Sequence, residues 1–501
     1  MAEPALLTIG LAFLMPLGYG LIACGGLSED QARQAALSLL AALGLATLGY
    51  ILCGFAFQFG GIGLVYNQPG YEGLVWEWSA LGPTWGAGWG MAGLAGWALT
   101  GPGANPSAYA LALANLPWVV TATLIPLAAL RGRIPALASA LVGLLIGAFI
   151  YPLAGNWIWG GGWLANLGSN LGFGHGLVDV GGAGLIHVLG AAAALAGIAV
   201  FLQRKPRLVP SHEPVPLPPV HLPLLAVLGA GFLLAAGPAW IAVNPLLAGR
   251  NLDLLQIALN YTVAAAAAAL LPLAYTWFIA GRPDPLMAAR GLAAGSIVGA
   301  ALAPFVAPTT ALLCGAAIGV LVPLVIFLVD SVLRVDDPTA ALGVHGLAGA
   351  LGLLAVGVFA DGRAGAGWNG VGAGSYLGVA RQGVSGLVAG AGYQSDFPGQ
   401  LQAQVVGLAA VALFAFLLAW ACLAPPAILV HLLELQIARR TGRAEKASER
   451  PAAGGLAPES DGAAADPPGA TSVLWSLPAD GEVDGQELPS AGDLQTPTPA
   501  V

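Results

Sequence analysis

Charged side chains are nearly missing from this sequence: Asp, Glu, Lys and Arg make up 8% of its 501 residues, while 57% are hydrophobic. A water-soluble domain carries about 25% charged residues because its whole outer surface faces water. The shortage excludes a soluble fold and leaves lipid as the surroundings this composition fits. Cysteine is scarce as well. Cys24, Cys53, Cys314 and Cys422 sit singly inside apolar runs, with no CxxC pair and no zinc spacing, so they read as buried thiols rather than as disulfides or metal ligands. No basic stripe points to nucleic acid. The N-terminus lacks the basic stretch and small-residue cleavage site of a secretory signal, so the segment from Ala5 reads as a retained first span. Nothing resembles a nucleophile–base pair or a nucleotide-binding loop; neither an enzyme nor a cofactor is implied.

Long apolar runs are what the sequence has instead. A membrane helix needs about 20 mostly apolar residues. Such runs begin near residues 4, 35, 107, 134, 180, 221, 255, 287, 309, 341 and 401. The eighth, Met287 to Ala307, is weak because Gly and Pro interrupt it. The 73 glycines suit close helix packing in lipid. The reading is an all-α integral membrane protein of about eleven transmembrane helices over residues 1–435, followed by a tail over 436–501. Beyond about Thr441 the tail is rich in Ala, Gly, Pro, Asp and Glu, and disorder is expected there.

Basic residues set the orientation. With the N-terminus outside, the inside connections hold Arg33, Arg131, Arg133, Arg204, Lys205, Arg207, Arg282, Arg290 and Arg334, and the tail adds Arg439, Arg440, Arg443, Lys446 and Arg450. The outside loops hold only Arg250, Arg363 and Arg381. That is 14 of 17 inside, an asymmetry that loss of one span would scramble. The long outside loop from Gly60 to Pro106 has no Lys or Arg but carries Trp76, Trp78, Trp85, Trp89 and Trp97, as an interfacial aromatic belt does.

An ionisable group at the bilayer centre costs about 2.5–3.5 kcal/mol on insertion scales, so the few present are candidates for function. His187 falls in the fifth run and His345 in the tenth. Their surroundings match: Asp179 and Asp337 each stand eight residues before the histidine, Leu189 and Leu347 two after, and Val200-Phe201 and Val358-Phe359 thirteen and fourteen after. Helices five apart cross in opposite senses, which is the mark of a five-helix inverted repeat, here with a final helix added, and of a path near the midplane between the halves. A lone histidine reads first as a packing residue. Two at repeat-related positions are expected to face each other, share a hydrogen bond, and leave their other edges for a small polar molecule or a proton. Asp179 and Asp337 read as helix N-caps; Asp179, after a Trp/Gly-rich outside segment, also suits a cation at the mouth.

These segments resemble the ammonium transporter family (Amt/Mep/Rh). Asn156-Trp157-Ile158-Trp159-Gly160-Gly161-Gly162-Trp163 is similar to the family's Trp-Gly-Gly-Gly motif, Asp179 to His187 to its Asp-x7-His segment, and Arg334-Val335-Asp336-Asp337-Pro338 through His345-Gly346 to its Asp-Asp-Pro signature. Pro16 to Gly26, Gly54 to Gly60 and Asn260-Tyr261-Thr262 fit more loosely. The resemblance spans about residues 5 to 435. It implies transport of ammonium or ammonia in a cell membrane, a homotrimer with one pore per subunit, and His187 and His345 as paired pore histidines. It also implies that Trp159 and Asp179 form an outer recruitment site. The inside loops are where a cytoplasmic regulatory protein would dock. The departures cluster at the mouth. The usual pair of gating phenylalanines falls on Trp118 and Trp240, and the usual serine falls on Asn244, or on Pro245 with a shift of one. The Gly-Phe-Asn run reads Ala239-Trp240-Ile241, an acidic residue after Asp-Asp-Pro is Ala340, and the inside tail lacks the family's usual stretch. These departures keep two alternatives open: an ammonium sensor or receptor with little conduction, and a channel for another small neutral molecule.

Overall fold

A computed structural model describes residues 2–25, 27–86, 88–134, 136–202, 221–247 and 252–448. Among them eleven helices are long and apolar enough to cross a membrane. They are Leu6–Cys24, Glu29–Leu64, Pro106–Ala129, Leu137–Ile158, Ala183–Val200, His221–Ala242, Leu254–Ala280, Pro285–Leu302, Pro308–Val332, Ala341–Phe359 and Gly399–Val430, numbered spans 1 to 11 in that order. Span 11 belongs to a longer helix, Gly399–Ser448, and the 435/436 boundary falls within it. Arg204, Lys205, Arg207, Arg250, Arg450 and the tail from 449 lie outside the described residues.

Span starts follow local chemistry. The first backbone N–H groups of a helix have no carbonyl to meet, so a preceding Asn or Asp side chain supplies one, and Pro at the first helical position sacrifices nothing. Asn105 accepts from Ala108 N at 2.9 Å before Pro106, Asp284 from Leu286 N at 2.9 Å before Pro285, and Asp253 from Leu255 N at 2.9 Å. A Ser28–Gln31 capping box starts span 2 at Glu29, well ahead of its apolar run. In the long connection after span 2, Glu77–Ser79 and Gly90–Gly93 pair antiparallel, with Trp76, Trp78 and Trp85 exposed. Span 8, the least apolar of the eleven, lies against spans 6, 7, 9 and 10, with 72% of its most apolar stretch buried inside the protein. Gly291 and Gly295 bring its backbone against Ala268 and Ala264 of span 7, where a side chain would collide.

The two halves repeat each other's backbone around the histidines. Asp179 Oδ2 accepts from Gly184 N at 3.0 Å and Leu185 N at 2.9 Å. Asp337 accepts from Ala341 N at 2.9 Å and Leu342 N at 2.8 Å. Three residues after each aspartate the backbone turns left-handed, at Gly182 (φ 77°) and Ala340 (φ 55°). A single π turn follows in both, Ala183–Val188 and Ala341–Gly346, and each carries its histidine near its end. Spans 1 and 6 meet on the repeat axis at Gly18 and Gly229. A Cβ on either glycine would reach the other's carbonyl oxygen, at 2.8 and 2.5 Å.

Ala340 adopts a conformation that its mate leaves to glycine. Left-handed backbone costs an L-residue roughly 1–2 kcal/mol, partly offset by the extra freedom glycine has when unfolded. Ala340→Gly is therefore expected to stabilise the folded protein by about 1 kcal/mol, read as a higher thermal midpoint in detergent. A lower midpoint would show that the Ala340 methyl packs more usefully than its backbone strain costs.

Candidate functional site

The chain approaching each aspartate is non-helical backbone, whose N–H and C=O groups need partners where water is absent. On the first side, span 11 provides them. Gln400 accepts from His175 N at 2.9 Å and donates to Gly176 O at 3.0 Å; Gln404 both accepts from and donates to the Val178 backbone at 2.9 Å. Asn369 donates to His175 O at 2.9 Å. The His175 ring is fully buried, neither nitrogen has a hydrogen-bond partner among the described residues, and burial pushes its pKa down to about 4. On the second side the partners are cationic. Arg133 donates to the backbone O of Asp336 and pairs with its carboxylate at 2.6 Å, and Arg290 donates to Pro338 O at 3.1 Å.

Held this way, Asp179 opens into a recess of about 350 Å³, its mouth included, which Trp159, Asn244, Tyr66 and Trp368 also line. The two carboxylate oxygens differ. Oδ2 caps span 5, whereas Oδ1 is buried with no hydrogen-bond partner among the described residues. Trp159 donates its indole N–H to Asp179 O at 2.8 Å. The Asn244 carbonyl oxygen accepts from Leu246 N at 3.0 Å.

Beneath the recess the tryptophan rings pack at steep angles to one another. The Trp118 ring lies 4.4 Å from that of Trp159 and 5.9 Å from that of Trp240. Trp118 and Trp240 are both fully buried. Trp240 donates to Gly181 O at 2.9 Å, between Asp179 and His187, while the Trp118 N–H has no partner among the described residues. Neither ring lines the recess.

His187 and His345 meet as the spacing predicts. Their Nδ1 atoms lie 3.0 Å apart with the rings parallel to within 7°. Each Nδ1 therefore serves the pair, and the two Nε2 atoms point away from it. The ring of Tyr19 in span 1 stands edge-on to both, at 5.3 and 5.0 Å between centroids. A second cavity, of about 390 Å³, reaches His345 from the opposite side and is lined also by Tyr19 and Thr339.

Sequence reasoning named His187, His345, Trp118, Trp159, Trp240, Asp179 and Asn244; the structure places Trp159, Asp179 and Asn244 around one recess, Trp118 against Trp159 and Trp240, and His187 against His345. It missed Tyr19, Thr339, Gln400 and Gln404. Two glutamines one helical turn apart in an otherwise apolar helix were a usable signal. Tyr19 inside an apolar run was not.

The model of the Ammonium Transporter Family matches residues 5–440. Ammonium transporter Amt2 of Archaeoglobus fulgidus is 29% identical over 71% of this chain and 70% of its own. An ammonium transporter of Aquifex aeolicus is 31% identical over 46% of this chain, and the match spans half of its length. Among solved structures, one titled Sensor Amt Protein superposes with a TM-score of 0.64 at 22% identity, covering 84% of this chain and 91% of its own. Mep2 of Candida albicans gives 0.60 at 20%, covering 83% and 81%. These two show a shared fold. With the family model spanning all eleven membrane helices, the chain belongs to the ammonium transporter family.

Proposed function

We propose that this protein moves ammonium across a cell membrane by stripping its proton at the tryptophan mouth and passing ammonia along the histidine pair. The observation that supports this most is the 3.0 Å contact between two histidines brought together by opposed halves of the repeat. Lining the recess, the Asp179 carboxylate and the Trp159 ring offer a cation an opposite charge and a cation–π contact. Further in, the walls are tryptophan and aliphatic. An unpaired ion there costs several kcal/mol even after relaxation, whereas neutral ammonia costs far less, so the proton is left behind.

The pair can hand that proton on separately. With one proton between the two Nδ1 atoms, one outer Nε2 is a lone pair and the other carries N–H. A proton taken up at the first Nε2 shifts the shared proton across, and the second ring releases its own. The mouth faces outside in this reading, and the basic loops and tail face the cytoplasm. The subunits form a homotrimer, with the inside loops open to a regulatory protein.

The test is an ammonium gradient across proteoliposomes. Current and internal pH change are expected at least about tenfold above protein-free vesicles. The fully buried Trp118 and Trp240 favour one second reading, a receptor that binds ammonium and conducts little. Saturable ammonium binding with flux at the protein-free level would replace the transport reading with that one.

A further inference from the structure

Two asparagines line the recess at the mouth, Asn244 after span 6 and Asn369 between spans 10 and 11, and the backbone ties down opposite ends of their amides. Asn244 closes a turn on its own chain, its carbonyl oxygen accepting from Leu246 N at 3.0 Å. Such a turn draws the oxygen back onto the backbone and leaves the nitrogen as the outer end of the side chain. Asn369 is held by the other atom. Its nitrogen donates to His175 O at 2.9 Å and to Leu177 O at 3.3 Å, which uses both of its N–H groups. Exchanging oxygen and nitrogen in either amide would set donor against donor at Leu246, or acceptor against two acceptors at His175 and Leu177. The backbone therefore fixes which end of each amide is left over.

What the pair has left for a ligand is one acceptor, the Asn369 oxygen, and one donor, the Asn244 N–H groups. The Asp179 carboxylate lines the same recess, between the rings of Trp159 and Trp368. An ammonium ion carries N–H on every side and no lone pair. It can donate to Asp179 and Asn369, but it has nothing with which to accept from Asn244. Methylammonium has the same defect, with a methyl group in place of one hydrogen. A cation whose charged nitrogen is bonded to an atom with a lone pair can meet all three side chains at once.

We infer that Asn244 and Asn369 tune the recess to small ammonium ions that carry a hydrogen-bond acceptor on the atom next to the charged nitrogen, of which hydrazinium is the simplest. The charged nitrogen lies with Asp179 and Asn369, and the lone pair of the second nitrogen accepts from Asn244. Hydrazinium and methylammonium are close in size and carry the same charge, so the acceptor is what separates them. In an aromatic recess without a donor the order would be the reverse. Hydrazinium would lose the water bonded to its lone pair and gain no replacement, whereas a methyl group has no such bond to lose. A site made to bond a polar group discriminates against the analogue that lacks it, because its own donor is then left unpaired. This inference rests on the recruitment at Asp179 proposed above and names the ions recruited.

The test is competition against influx of radiolabelled methylammonium into proteoliposomes, in mildly acidic buffer where both competitors are cations. In the unaltered protein the half-inhibiting concentration of hydrazinium is expected to lie at least about tenfold below that of unlabelled methylammonium. In Asn244→Ala that advantage should shrink to within about twofold or reverse. Where influx stands at the protein-free level, displacement of bound label from the solubilised protein gives the same ranking. The ranking in the unaltered protein decides alone if Asn244→Ala does not fold. Hydrazinium no better than methylammonium, or an advantage that survives Asn244→Ala, overturns the inference. If Asp179→Asn weakens both competitors, that failure leaves recruitment at Asp179 standing. Competition by both ions untouched by Asp179→Asn overturns the recruitment and the inference with it.

Discussion

His187→Ala and His345→Ala are each expected to lower ammonium flux in proteoliposomes by about 30- to 100-fold without unfolding the protein. The two rings share one hydrogen bond at 3.0 Å in a region where nearly every other contact is apolar. Removing one ring takes away one partner of that bond and leaves the remaining Nδ1 unpaired. An unpaired buried polar group costs about 1–3 kcal/mol, and an ammonia molecule crossing that point loses a contact of similar worth; each 1.4 kcal/mol is tenfold in rate. The space left by the ring is enclosed, so a wider hole does not compensate for the lost hydrogen bonds. Flux within twofold of the unaltered protein in both variants would remove the histidine pair from the path.

Asp179 and Asp337 separate charge from capping, and the same substitution in each gives opposite expectations. Both oxygens of Asp337 are occupied by backbone N–H groups, those of Ala341 and Leu342. Asp179 uses Oδ2 for the same task and leaves Oδ1 without a partner beside the recess. Asn in place of Asp179 keeps a carbonyl oxygen to cap span 5 but removes the negative charge. Asp179→Asn is expected to stay folded and to raise the half-saturating ammonium concentration at the mouth at least about tenfold, since a charge-assisted contact is worth about 1.5–3 kcal/mol. Asp337→Asn can cap through only one atom, because its amide nitrogen cannot accept. It is expected to lose about 1–2 kcal/mol of stability while its half-saturation at the mouth stays within about twofold. Equal transport defects in the two variants would show that Asp179 acts through the helix alone.

Much of this was legible in the residues themselves. Run length placed the spans well: starts read at 255, 287 and 341 stand at Leu254, Pro285 and Ala341. The start read near 35 missed by more, because Glu29, Asp30 and Arg33 make the first turns of span 2 polar and only the Ser28–Gln31 capping box marks them as helix. The paired Asp-x7-His segments announced both the repeat and the contact between the histidines. The partnerships that cross the chain were not legible. Gln404 meets Val178 from 226 residues away, and no local pattern encodes that distance. The π turns were equally hidden, since they change the hydrogen-bond ladder without changing the apolar run that betrays the helix.

Span 8 has a consequence for how the protein is made. A nascent segment enters the bilayer according to its own preference for lipid over water, and this one is the least apolar of the eleven. In the finished molecule most of it touches protein, with glycine backbone set against span 7. Its place in the membrane thus draws on the assembly as well as on the segment, and span 7, made before it, and span 9, made after it, supply the surfaces that hold it.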